Sequence, residues 1–116
     1  MRYTEFLSDM KSKIDALGIK SDYCGFINIP SDHCYATYFI SEVRFDGDDL
    51  CARYYEYSAQ VIFFYKSYQS EEDRAMEEAF EESVREYTPF TKQCGFDAEN
   101  AQFYSVYKFG FTEFFQ

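Results

Sequence analysis

Alternation of apolar and polar positions is strongest over residues 54–65. Tyr55, Tyr57, Ala59, Val61, Phe63 and Tyr65 fall on one side of a pleated strand, and none of them is charged. That side reads as a core face. The opposite side begins mixed, with Tyr54, Glu56, Ser58 and Gln60, and ends apolar, with Ile62 and Phe64. A strand that is half wet and half greasy on its outer side is one that a partner covers in part.

The periodicity then changes from two to between three and four. Met76, Ala79, Phe80, Val84 and Tyr87 form a stripe that predicts a helix over 71–87. Ser70 stands at the N-cap with Asp73 three residues on, in a capping-box arrangement. Glu71, Glu72 and Asp73 place negative charge on the positive end of the helix dipole. Pro89 ends the element and biases Thr88 toward an extended conformation. A helix of this length, about 25 Å, can lie across three or four strands.

An earlier helix is predicted over 3–17, with Phe6, Leu7, Met10, Ile14 and Leu17 as its stripe and Gly18 as its left-handed stop. Residues 21–30 read as a short edge strand or extended linker, weakened by Gly25 and ended by Pro30. Residues 34–45 read as a strand. Strict alternation puts Tyr35, Thr37, Phe39, Ser41, Val43 and Phe45 on one face, and Tyr38, Ile40, Glu42 and Arg44 on the other. A turn at 46–49 joins it to the strand at 54–65 as an antiparallel hairpin.

A second hairpin is predicted from strands at 90–96 and 101–115 with a turn at 97–100. Phe103, Tyr107, Phe109, Phe111 and Phe115 share one face of the last strand; Tyr104, Val106 and Phe114 share the other. Gly110 signals a bulge or a close backbone approach. The order α-β-β-β-α-β-β predicts one α+β domain spanning residues 1–116. Its antiparallel-rich sheet of four to five strands carries two helices on one face.

Composition sharpens this picture. The 116 residues carry 14 Phe and 12 Tyr, too aromatic for a disordered chain. A net charge of -10 argues against direct nucleic-acid binding and against an anionic membrane surface. With no membrane-spanning run or leader, the expected location is cytoplasmic. Cys24, Cys34, Cys51 and Cys94 show no CxxC spacing and read as reduced core fillers.

Candidate chemistry is sparse. His33 is the single histidine, between Asp32 and Cys34; adjacent strand residues diverge, so it reads as a loop histidine. Glu77, Glu78, Glu81 and Glu82 offer carboxylate pairs four apart, but without His or Lys partners in the motif. They read as a solvated acidic helix face able to steer or repel. No phosphate loop, nucleophile elbow or HExxH motif is present, and no cofactor, metal site or enzymatic activity is expected. Two helices cannot cover both sides of so aromatic a sheet. Tyr54, Ile62, Phe64, Tyr104, Val106 and Phe114 are therefore the expected subunit interface.

Four stretches together resemble the tail terminator, or tail completion and head-to-tail joining, proteins of long-tailed bacteriophages and prophages. They are residues 34–39 after a Pro-containing loop, residues 57–65 running into the helix at Ser70, the acidic helix itself, and the hairpin turning at 97–100 and ending in residues 107–111. The resemblance spans nearly the whole chain. It implies a hexameric ring that caps the tail tube, stops its polymerisation and contacts the tail tube or head connector, in the bacterial cytoplasm or the virion, with no catalytic residues. An acidic ring would let DNA pass without adhering. The alternative is an acidic inhibitor or immunity-type protein that masks a basic partner through the helix acids.

Overall fold

A computed structural model describes residues 2–47, 53–67 and 70–115. The elements follow the order α1 (Tyr3–Asp15), β1 (Lys20–Tyr23), β2 (Cys34–Gly47), β3 (Arg53–Tyr65), α2 (Glu71–Ser83), β4 (Thr91–Asp97) and β5 (Gln102–Phe115). A 3-10 turn at Arg85–Tyr87 follows α2. The five strands form one sheet in the order β1-β2-β3-β5-β4. β1 runs parallel to β2, and every other pair is antiparallel. This is the expected α+β architecture.

Both helices lie on one face because their apolar stripes have nowhere else to go. From α1, Phe6, Met10 and Ile14 are fully buried; from α2 and the turn after it, Phe80 and Val84 are. They close over Ala36 and Tyr38 of β2, Ala59, Val61 and Phe63 of β3, and Tyr107 and Phe109 of β5. Phe63 meets the Phe80 ring edge-on at 5.0 Å, and Phe6 stacks on Phe111 at 4.8 Å. Offset and edge-on contacts of this kind suit the ring quadrupoles. The capping box forms at the start of α2: Asp73 N–H donates to Ser70 Oγ, and Ser70 N–H donates to Asp73 Oδ2.

Several local expectations are corrected. The edge strand is Lys20–Tyr23, before the segment richest in apolar residues, which instead forms the loop after it. Cys24 and Gly25 in that loop both adopt positive φ. Each helix ends earlier than its stripe: α1 at Asp15 and α2 at Ser83. Ala79 is exposed, since it lies off the line from Phe80 to Val84. β4 begins at Thr91 rather than Phe90. Of the cysteines, Cys34 is buried but Cys24 and Cys94 are exposed, so they are not core fillers. Burial pushes the Cys34 thiol up to about 12. Cys51, and the hairpin turn from residue 48 onward, lie outside the described residues.

The largest correction is in β2. Ile40 opposes Ala59 but Glu42 opposes Ser58, so Ser41 is an extra residue, a β-bulge. Its hydroxyl donates to Ser58 O at 3.0 Å. One inserted residue exchanges the two faces of everything beyond it. Val43 and Phe45 therefore join Tyr57 and Tyr55 on the helix side, and Glu42 and Arg44 cross to the other. No bulge occurs at Gly110, which opposes Ser58 in unbroken register.

Candidate assembly surface

The face of the sheet away from the helices is built in rows. Across β3 and β5, Tyr54 opposes Phe114, Glu56 opposes Thr112 and Ser58 opposes Gly110. Gln60 opposes Lys108, Ile62 opposes Val106 and Phe64 opposes Tyr104. All six residues expected at an interface thus lie on this face, as three cross-strand pairs. They are not one patch. Two pairs sit together at one end, the third sits at the opposite end, and three polar rows separate them.

The larger apolar end is shaped by its neighbours. Tyr35 stacks on Phe64 with ring centroids 5.1 Å apart. Its hydroxyl accepts a 2.7 Å hydrogen bond from Gln102 Nε2, satisfying two polar groups that are both buried. Tyr104 lies so close over Gly95 that a Cβ there would collide with the phenol oxygen, so glycine is what lets the ring lie down. The loop after β1 packs Phe26 edge-on against Tyr35. On the other side, the β4–β5 turn forms a wall, held by Asp97 accepting from Glu99 N–H and Asn100 Nδ2. Between these walls run two adjoining grooves of about 520 and 330 Å³, both floored by Ile62 and Phe64.

At the far end the three long strands project past the helices. Tyr54 and Phe114 rings touch there, with centroids 5.5 Å apart, and Phe114 is 70% exposed. The helix side of this arm is also aromatic: Phe45 and Val43 are exposed, and Tyr3 and Tyr55 pack around Tyr57. Burial, and then the hydrogen bond that it donates to Glu113, push the Tyr57 hydroxyl up to about 12.

The expected acidic surface is corrected. Glu77 is 2% exposed. It accepts from Tyr65 Oη at 2.6 Å and pairs with Lys92 Nζ at 2.7 Å. Glu81 is half-buried, accepting from Tyr107 Oη at 2.7 Å and pairing with the same lysine at 3.0 Å. Glu78 and Glu82 remain exposed, with Glu82 paired to Arg85. Helical spacing alone gives no sign of this, because Lys92 comes from β4. The signal available was a lysine on the helix-facing side of a strand: Lys92 opposes Tyr107, a core residue.

Sequence reading also missed the partner of His33. Its Nε2 lies 2.9 Å from Asp73 Oδ2, and Ser67 Oγ lies 3.5 Å from its Nδ1. Burial acts to raise the Asp73 pKa, but hydrogen bonds from His33 and the Ser70 backbone more than offset this and hold it below the usual carboxylate range. Serine, histidine and aspartate stand here in the order of a hydrolytic relay. Asp73 is, however, already committed to the helix cap, and none of the three lines a groove described above. The trio works as a clasp between the loop before β2 and the start of α2. Among the described residues, no group of three or more His, Cys, Asp or Glu could hold a metal ion, and no helix is long and apolar enough to cross a membrane.

No protein-family model matches this chain, and no curated protein matches it.

Proposed function

We propose that this chain is a non-enzymatic assembly protein of the phage or prophage tail terminator kind. Copies join at the head–tail junction through the uncovered sheet face and contact the tail tube or the head connector. One observation carries the reading: apolar cross-strand pairs stand at both ends of a sheet face that neither helix covers. The likeness in element order supplies the tail, the ring and the host. The working location is the bacterial cytoplasm during assembly and the virion afterwards. Exposed acids that remain on α2, such as Glu78 and Glu82, would keep DNA from adhering as it passes.

The inhibitor reading loses ground on the same helix. Two of its four carboxylates, Glu77 and Glu81, are taken up by Lys92 and two tyrosines inside the fold.

The test is particle size, alone and with tail tubes. Negative-stain microscopy and light scattering are expected to show a ring, free or seated on tube ends. Phe64→Asp puts a charge on the groove floor and is expected to abolish it while leaving the far-ultraviolet circular dichroism unchanged. A folded Phe64→Asp protein that still caps tubes would refute this surface.

A further inference from the structure

Five of the six rows of the uncovered face, all but the row of Phe64 and Tyr104, read almost the same in either direction. Beginning at the arm tip, these rows across β3 and β5 run aromatic (Tyr54, Phe114), acidic (Glu56), small (Ser58, Gly110), basic (Lys108) and aliphatic (Ile62, Val106). Turned end for end, aromatic meets aliphatic, acid meets base and small meets small. We infer that in the free protein this face is occupied by the same face of a second copy. The two are related by a twofold axis that lies between the sheets, perpendicular to the strands, over Ser58 and Gly110. The inference rests on the proposed reading of this face as a contact surface and names its first occupant.

Gly110 is the independent observation. A glycine inside a regular strand weakens it, and is kept where a bulge or a close backbone approach requires it. There is no bulge here, φ is not positive, and a Cβ at Gly110 would meet nothing nearer than Tyr57 O at 3.9 Å. Within one chain the position has no need of glycine. A second sheet crossing at this point supplies the need, because facing sheets pack about 10 Å apart and come closest where side chains are smallest.

The arrangement also gives the exposed ring at the arm tip a seat. Phe114 of one copy comes over Val106 of the other and Tyr54 over Ile62, at the mouth of the walled groove. Glu56 comes diagonally opposite Lys108, adding to its own contact with Arg44 at 3.7 Å. One contact opposes the pairing. Glu42, on the row of Ser58, meets its own copy at the margin.

The size of the patch decides its strength. From Tyr54 to Ile62 the rows extend about 26 Å, and three strands make the patch on the order of 400 Å² per copy. That is about half of the ~800 Å² per partner in a standard interface, so the pair is a weak, transient one. A terminator ring needs the same residues, so the pair must open before a ring closes.

Sedimentation of the full chain over a concentration series tests this. Wild type is expected to move from monomer to dimer. Gly110→Phe, at a position where a Cβ meets no close neighbour, is expected to raise the dissociation constant by about tenfold or more, with a melting temperature no lower than wild type. Lys108→Glu and Glu56→Lys are each expected to weaken the pair, and the double exchange to restore it. Glu42→Gln is expected to tighten it. A chain that stays monomeric throughout, a dimer indifferent to Gly110→Phe, or a failure of the double exchange to restore would each overturn the pair. A ring forming directly, unaffected by Gly110→Phe but lost in Phe64→Asp, would overturn the pair and leave the tail reading standing.

Discussion

Phe63 and Phe64 are neighbours in the chain and occupy different worlds. Phe63 faces the helices, fully buried against Phe80 and Tyr107. Phe64 faces the other way, half-buried, resting on Tyr35 in a groove with an open mouth. The same side chain is spent on stability on one face and held available on the other. Selection for folding alone would not make the second face aromatic, since each half-exposed ring adds little to stability and risks association.

The comparison can be broken most severely at the rings themselves. Phe63→Ala should cost about 3–5 kcal/mol, the price of an aromatic cavity in a closed core. Phe64→Ala should cost about 1 kcal/mol, because about half of the ring's transfer energy is all it gains in one chain. Urea denaturation of the two variants gives the contrast directly; equal losses would mean that the outer face is as closed as the inner.

The polar contacts under α2 come next. Lys92→Met leaves Glu77 buried without its cation and should cost about 3 kcal/mol, the lower end for a broken buried pair because the lysine is itself partly exposed. Lys92→Met combined with Glu77→Leu should recover only part of that, since the buried Tyr65 hydroxyl then loses Glu77 as acceptor. A double variant as unstable as the single one would show that the lysine acts through packing on Tyr107, over whose ring its ammonium lies at 5.4 Å.

A smaller effect is expected at the helix cap. Asp73→Ala should cost about 1 kcal/mol near neutral pH. The folded-state pKa of Asp73 lies below its unfolded value, so its contribution is present above about pH 4 and is lost as pH falls through the folded value. The stability difference between wild type and Asp73→Ala should therefore shrink in acid.

The smallest signal belongs to the arm. Tyr57 is held protonated up to about 12 in the fold, above the tyrosine value of 10.0, so its contribution is intact below pH 10 and lost as pH approaches 12. Ultraviolet titration should show the high-pH tyrosine step moving down toward pH 10 in Glu113→Ala, with burial, the larger cause, still holding it above that value.

Much of this was legible along the chain. Ser70, Asp73 and the stripe through Phe80 and Val84 announce α2, because caps and helical periodicity are local rules. Alternation through β3 and β5 sorted core from outer residues correctly, since a regular strand has a period of two and nothing interrupts it. β2 was misread beyond Ser41 for the same reason: a single inserted residue leaves no mark on composition but exchanges the faces that follow. Glu77 looked like a solvated acid because it stands in a run of helix acids that contains no lysine or histidine. Its cation stands fifteen positions away on the strand that folds back beneath the helix.

The amino-acid order by itself determined the succession of helices and strands, where α2 begins, and that more apolar strand surface exists than two helices can cover. Tertiary structure alone decided which acids turn inward, how His33 finds Asp73, and where the outer apolar pairs fall relative to one another. The division has one cause. Propensity, capping and periodicity act between near neighbours and are written in sequence, whereas the partner of a buried charge or the row opposite a strand residue is chosen by a chain segment that only folding brings within reach.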